Sequence, residues 1–155
     1  MYCIAMVLLI VAMFFCGCTS GTKQIGPRQV TEWAYAPNTI AVHPLSRIRI
    51  DENGNPGVIA HIVMRDGDGF ACRGVGMLNV RITNTRGEFV SEKTINLQNP
   101  EVNRTCFDAV TRTYRIPFSG VEPNTKEVLL QGIFTSDGEE VLKSKTTTLV
   151  NHKSD

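Results

Sequence analysis

The chain has 155 residues; with an export segment and a tether set aside, roughly 115 remain, enough for one domain with a normal core and too few for two. Sixteen Lys and Arg stand against 15 Asp and Glu, a near-neutral balance that excludes the basic footprint of a nucleic-acid binder and a polybasic membrane patch. Aromatic residues make up 7%, too few for an extended stacking platform for bases or sugars.

Residues 4–15 (IAMVLLIVAMFF) form an unbroken apolar run of twelve, and the first 17 residues carry no charged side chain. A membrane-spanning helix needs about 20 apolar residues and the core of an export signal roughly 7 to 15, so residues 1–17 are expected to be a signal peptide. Cys16, Gly17 and Cys18 follow, then a polar stretch from Thr19. The segment FCGC resembles the lipobox of bacterial lipoproteins, with Phe15 in the bulky place, Cys16 and Gly17 in the small places and Cys18 as the lipid acceptor. That resemblance implies cleavage after Gly17, palmitate-type acylation at Cys18 and a membrane partner held through the lipid. Cys16 is the poorer acceptor, because Phe14 and Phe15 occupy the places where small residues are needed. Thr19, where Asp would retain a lipoprotein at the inner membrane, resembles the outer-membrane sorting pattern, so the expected location is the bacterial cell envelope.

Residues 19–32 (TSGTKQIGPRQVTE) are small and polar with Gly and Pro and hold no period, so 18–39 reads as a flexible tether. Trp33 and Tyr35 stand at a spacing of two, suited either to plugging one end of the domain or to a recognition patch. Ile40 to Val42 and Leu45 to Ile50 then lead into DENGNPG (51–57), a turn rich in Asn, Gly and Pro. Val58 to Arg65 is β-branched and ends in the Asp66-Gly67-Asp68-Gly69 hairpin signal. Met77 to Thr83 alternates, with Leu78, Val80 and Ile82 on one face, before a turn at Asn84 to Gly87. Phe89, Val90, Ile95 and Leu97 mark another strand ahead of Asn99-Pro100. Thr111 to Phe118 sets Tyr114, Ile116 and Phe118 on one face. Val128 to Thr135 is apolar enough for a central strand, and Val141 to Val150, with Lys and Thr, suits an exposed edge. Seven or eight strands with regular turn signals and no amphipathic helix predict an all-β domain over 40–150, a β-sandwich with immunoglobulin-like architecture, followed by a tail at 151–155.

The stretches IRIDENGNPGVIAHIVMRDGDG (48–69) and FDAVTRTYRIPF (107–118) are similar to segments of uncharacterised small β-sandwich lipoproteins of planctomycete-type bacteria. This resemblance implies export, lipidation and the sandwich fold, and it assigns no site.

Chemistry-bearing residues are sparse. Asp51, Asn53 and Asn55 alternate as the first ligands of a calcium loop would, but Pro56 and Ile62 stand where that loop needs Gly and Glu, so a turn is expected and no metal site. Asp66 and Asp68 lie at the other end of the 58–65 strand, about 25 Å from Asp51 at 3.3 Å per residue. His43 precedes a proline, His61 lies in a strand and His152 in the tail; none stands beside a nucleophile and an orienting group, so no catalytic set is expected. Cys72 and Cys106, the cysteines of the body, are candidates for a disulfide in an oxidising compartment. The expectation is a non-catalytic binding or adhesion module without a cofactor, whose partner is an envelope protein or glycan. A structural subunit of an envelope complex and a hydrolase with an unrecognised site are the alternatives.

Overall fold

The computed structural model describes residues 36–50, 55–121 and 126–151. The expected all-β sandwich is what forms: two antiparallel sheets face each other across one core. Among the described residues there are eleven strands: β1 (Thr39–Val42), β2 (Arg47–Ile50), β3 (Pro56–Arg65), β4 (Ala71–Cys72), β5 (Gly76–Thr83), β6 (Phe89–Asn96), β7 (Phe107–Asp108), β8 (Thr113–Ser119), β9 (Glu127–Ser136), β10 (Val141–Lys143) and β11 (Thr147–Val150). The first sheet runs β1-β3-β8-β7 with β2 and β4 also on β3, and the second β10-β9-β5-β6 with β11 also on β9.

The strands follow from their side chains. In β5 the alternation buries Leu78, Val80 and Ile82 completely, and in β8 it turns Tyr114, Ile116 and Phe118 inward. Val128, Leu130 and Phe134 of β9 meet them. Each such side chain contributes roughly 1.5–3 kcal/mol by leaving water. β3 has no polar alternation, because neither face is wet: Val58, Ala60, Ile62 and Met64 enter the core, while Ile59, His61 and Val63 on the opposite face are also buried.

Eleven strands replace the seven or eight expected because long runs break. The run from Val141 to Val150 splits into β10 and β11 at Ser144, which is buried against β9: the Gly132 amide donates to Ser144 Oγ and the Ser144 amide donates to the Gly132 carbonyl, both at 2.9 Å. Arg112 takes a left-handed φ of 55° in the β7–β8 turn, so β8 begins at Thr113 rather than Thr111. Among the described residues a helix, α1 (Pro100–Cys106), occupies a stretch where the sequence reading placed none. It is capped by Asn99, whose side chain accepts from the amides of Glu101 and Val102, with Pro100 in the first turn.

That helix delivers Asn103 to the core's edge. Its side-chain amide donates to the carbonyls of Gly74 and Leu97, each at 2.8 Å. Its oxygen accepts from the Tyr114 hydroxyl at 3.0 Å, and the same hydroxyl accepts from the Gly74 amide at 3.0 Å. Phe107 packs edge-on against Tyr114, ring centroids 5.3 Å apart, and Arg73 lies over Phe107. Burial pushes the Tyr114 hydroxyl up to about 12, which keeps it a neutral donor at any physiological pH.

Along β8, Pro117 lies beyond the end of β7, at the open edge of the sheet, the position that tolerates a missing amide hydrogen. Lys93 of β6 reaches across from the second sheet, donates to the Pro117 carbonyl and sits over the Phe118 ring. A charged side chain thus covers an edge that would otherwise be open to pairing.

Candidate functional site

Among the described residues, three arginines gather on the outer face of the first sheet. In β2, RIRI, strand alternation sends Ile48 toward the core and Arg47 and Arg49 to solvent. Register fixes their neighbours: Arg47 lies beside Ile59 and Arg49 beside Gly57, while from the other side of β3 Arg115 lies beside His61 and Pro117 beside Ile59. Directly paired residues share a face, so Arg47, Arg49 and Arg115 all stand on the surface that β3 forms with Gly57, Ile59 and His61. β2 and β8 flank β3, roughly 10 Å apart at the usual spacing, with Arg115 displaced along the strands by two residues from Arg47 and by four from Arg49.

The result is an open groove of about 360 Å³ with Arg49 on one bank and Arg115 on the other; Gly57, Ile59 and Pro117 line it between them. Gly57 keeps the strands close there, since a Cβ on it would stand 2.5 Å from the Phe118 carbonyl oxygen. Among the described residues the ion pair is Arg81 to Glu92 at 2.7 Å, on the outer face of the second sheet, and no described carboxylate lies within ion-pair distance of Arg47, Arg49 or Arg115.

His61 marks the middle of this face. Its Nδ1 is 2.9 Å from the Thr113 hydroxyl, which is 2.8 Å from that of Thr111. The backbone around it is locked by the β1–β2 turn: Ser46 Oγ accepts from the His61 amide, and the His43 amide donates to the His61 carbonyl. The imidazole is held below its ordinary value, first by burial and then by the positive charge of Arg115, His43 and Arg47, with Asp108 acting in the opposite sense. Asp108 is itself held low by the amides of Thr111 and Val110.

The other sequence candidates resolve into structural roles or fall elsewhere. Cys18, Trp33, Tyr35, Asp51, Asn53 and His152 lie outside the described residues; Asn55 lines the groove. The Asp66 carboxylate accepts from the amides of Asp68 and Phe70 at 3.1 and 2.9 Å, closing the β3–β4 turn. Among the described residues no three His, Cys, Asp or Glu gather as metal ligands would.

The Cys72 and Cys106 thiols are not joined in the structure. Each packs against the core from its own element, Cys72 in β4 opposite the inward-facing Met64 and Cys106 at the end of α1. Each acts as a small hydrophobe. Cys72 therefore lies on the inner face of the sheet and His61 on the outer one, so the two do not combine as nucleophile and base. Burial, with Asp66 nearby, pushes the Cys72 thiol up to about 11. A thiolate is the reactive form, so Cys72 is expected to resist iodoacetamide at pH 8 in the folded protein. Peptide mapping after unreduced denaturation should find both body cysteines alkylated; a Cys72–Cys106 cross-linked peptide would contradict the free-thiol arrangement.

The arginine pair across β3 is what sequence reading missed. Its only signal was the Arg-Ile-Arg alternation at 47–49. No protein-family model, no curated protein and no solved structure matches the chain.

Proposed function

We propose that the protein is a lipid-anchored, non-catalytic binding module of the bacterial cell envelope, and that the outer face of its first sheet is the ligand-contacting surface. The observation that carries the binding role is the groove between Arg49 and Arg115, built on paired strands rather than loops, which gives its charged groups fixed positions. The anchoring role rests on the apolar run of residues 4–15 and the FCGC segment ending at Cys18.

The two halves are tested separately. Mass spectrometry of the protein from its host should find an acylated N-terminal peptide beginning at Cys18, and Cys18→Ala should abolish palmitate labelling; labelling that survives in the variant sinks the anchor. For binding, the detergent-solubilised protein should cosediment with delipidated envelope material, and Arg49→Glu/Arg115→Glu should remain in the supernatant. Equal sedimentation of the two would remove the groove from the proposal.

A further inference from the structure

We infer that the β1–β2 turn is an acid-operated latch: a proton on His61 releases the turn from β3 and opens the cleft that the turn forms with β11. The neutral imidazole keeps the latch shut.

Three elements bring the parts together. Ile40 and Val42 of β1 pack against the core, so alternation turns His43 to the outer face. The β1–β3 ladder pairs Val42 with Ile62. One step further on, the His43 amide donates to the His61 carbonyl at 2.7 Å, which sets His43 opposite His61. On the other side of β3, Arg115 is the direct partner of His61. His43, His61 and Arg115 therefore form one row across the sheet, and like charges placed directly opposite destabilise a strand pair.

The turn hangs on the middle member of this row. Ser46 Oγ accepts from the His61 amide at 2.9 Å and donates to the His61 carbonyl at 3.2 Å. The Ser46 amide donates to the His43 carbonyl at 2.9 Å. Within the turn, His43 Nδ1 accepts from the Leu45 amide at 3.3 Å, which only an unprotonated nitrogen can do. β3 itself has other support, because Gly57 to Ile62 stay paired with β8 and Val58, Ala60, Ile62 and Met64 stay in the core. Loss of the turn is thus a local opening and not unfolding of the sheet.

The surroundings of His61 make a charge there costly. The ring is buried. Arg115 of β8, His43 of the turn and Arg47 of β2 face it as positive groups, and Asp108 of β7 is the opposing carboxylate. Asp108 Oδ1 already accepts from the amides of Val110 and Thr111, and among the described residues no carboxylate stands within ion-pair distance of His61. The contact at Nδ1 is the neutral Thr113 hydroxyl.

With the turn closed the imidazole is therefore held below its ordinary value of 6.5; with the turn open it meets water and returns toward that value. The open form binds the proton more tightly. Its share rises as pH falls from 6.5 through the closed-form value, and above 6.5 the proton favours neither form. What opens is a cleft of about 500 Å³, with Val42, Pro44 and Arg47 on the turn side and Thr147 to Val150 of β11 on the other.

The test is residue-resolved hydrogen exchange by NMR on the full chain in detergent micelles, from pH 7 to pH 5 and corrected for the intrinsic rate. Protection of the His43, Ser46 and His61 amides should fall below pH 6.5 by up to about tenfold per pH unit, the limit for uptake of one proton. The amides of Val80 and Leu130, in the second sheet, should hold constant, and the His61 ring should titrate below 6.5. His61→Gln, which takes up no proton, should remove the pH dependence. Arg115→Gln keeps the imidazole and removes the neighbouring cation, so it should raise the His61 midpoint and shrink the loss of protection; it decides the matter if His61→Gln does not fold.

Constant protection of the turn amides down to pH 5 would overturn the latch. So would a parallel loss at Val80 and Leu130, which is global unfolding. An undiminished acid response in His61→Gln would move the effect to another group, His43 first, and an unchanged midpoint in Arg115→Gln would show that the row carries no charge coupling; either result overturns the assignment to His61.

Discussion

Gly76→Ala is expected to destabilise the domain by roughly 2–5 kcal/mol, from backbone strain and overpacking together. Gly76 opens β5 with φ at +151°, a conformation L side chains rarely adopt, and a Cβ built on it would stand 2.1 Å from the Thr135 carbonyl oxygen. The obstruction is backbone on the neighbouring strand, which cannot rotate away as a side chain would. The Gly76 carbonyl also accepts from the Leu97 amide at 2.8 Å, so any shift of β5 there loosens the approach to α1. Urea unfolding should show the midpoint lowered with little change in slope. Gly67→Ala is the control: it sits in the β3–β4 turn, where nothing lies within 4 Å of its Cβ position, and its effect should be within about 0.5 kcal/mol. Comparable midpoints for the two variants would show that the close approach to Thr135 is not a constraint.

Asn103→Ala should be of similar severity, roughly 3–5 kcal/mol, for a different reason. Removing this one amide strands the carbonyls of Gly74 and Leu97 and the donor of Tyr114, and an unsatisfied buried polar group costs about 1–3 kcal/mol. Tyr114→Phe keeps the ring against Phe107 and loses only the hydroxyl, leaving the Gly74 amide and the Asn103 oxygen without it, so about 1–3 kcal/mol is expected. Because both residues belong to one network, the double variant should fall short of the sum of the two, a coupling that a double-mutant cycle reads directly. Strict additivity would mean that Asn103 and Tyr114 act independently and that the corner at Gly74 is not held as a unit.

Much of the architecture is legible in the chain. Leu78, Val80 and Ile82 alternate with polar residues because one face of β5 is wet, and the same reasoning places Tyr114, Ile116 and Phe118. The missing alternation in Val58 to Met64 marks a strand covered on both sides, as β3 is. The helix was less legible. Asn99-Pro100-Glu101 is a good helix start, but seven residues show too little of a 3.6-residue period to separate a helix from a turn.

The sequence by itself determined the all-β class, the strands that alternate, and the features that need no fold to be recognised: the apolar run of residues 4–15 and the FCGC segment at Cys18. These are local properties, carried by neighbours in the chain. Tertiary structure alone decided that Arg49 and Arg115, which are distant in sequence, share one groove across β3, because that depends on which strands pair and in which register. It also decided that Cys72 faces the core and His61 the outer surface, since a residue's face follows from its register partner: Met64 for the one and Arg115 for the other. A shift of one residue in that pairing would exchange the two faces, and it is burial of Val58, Ala60, Ile62 and Met64 in the shared core that holds the register.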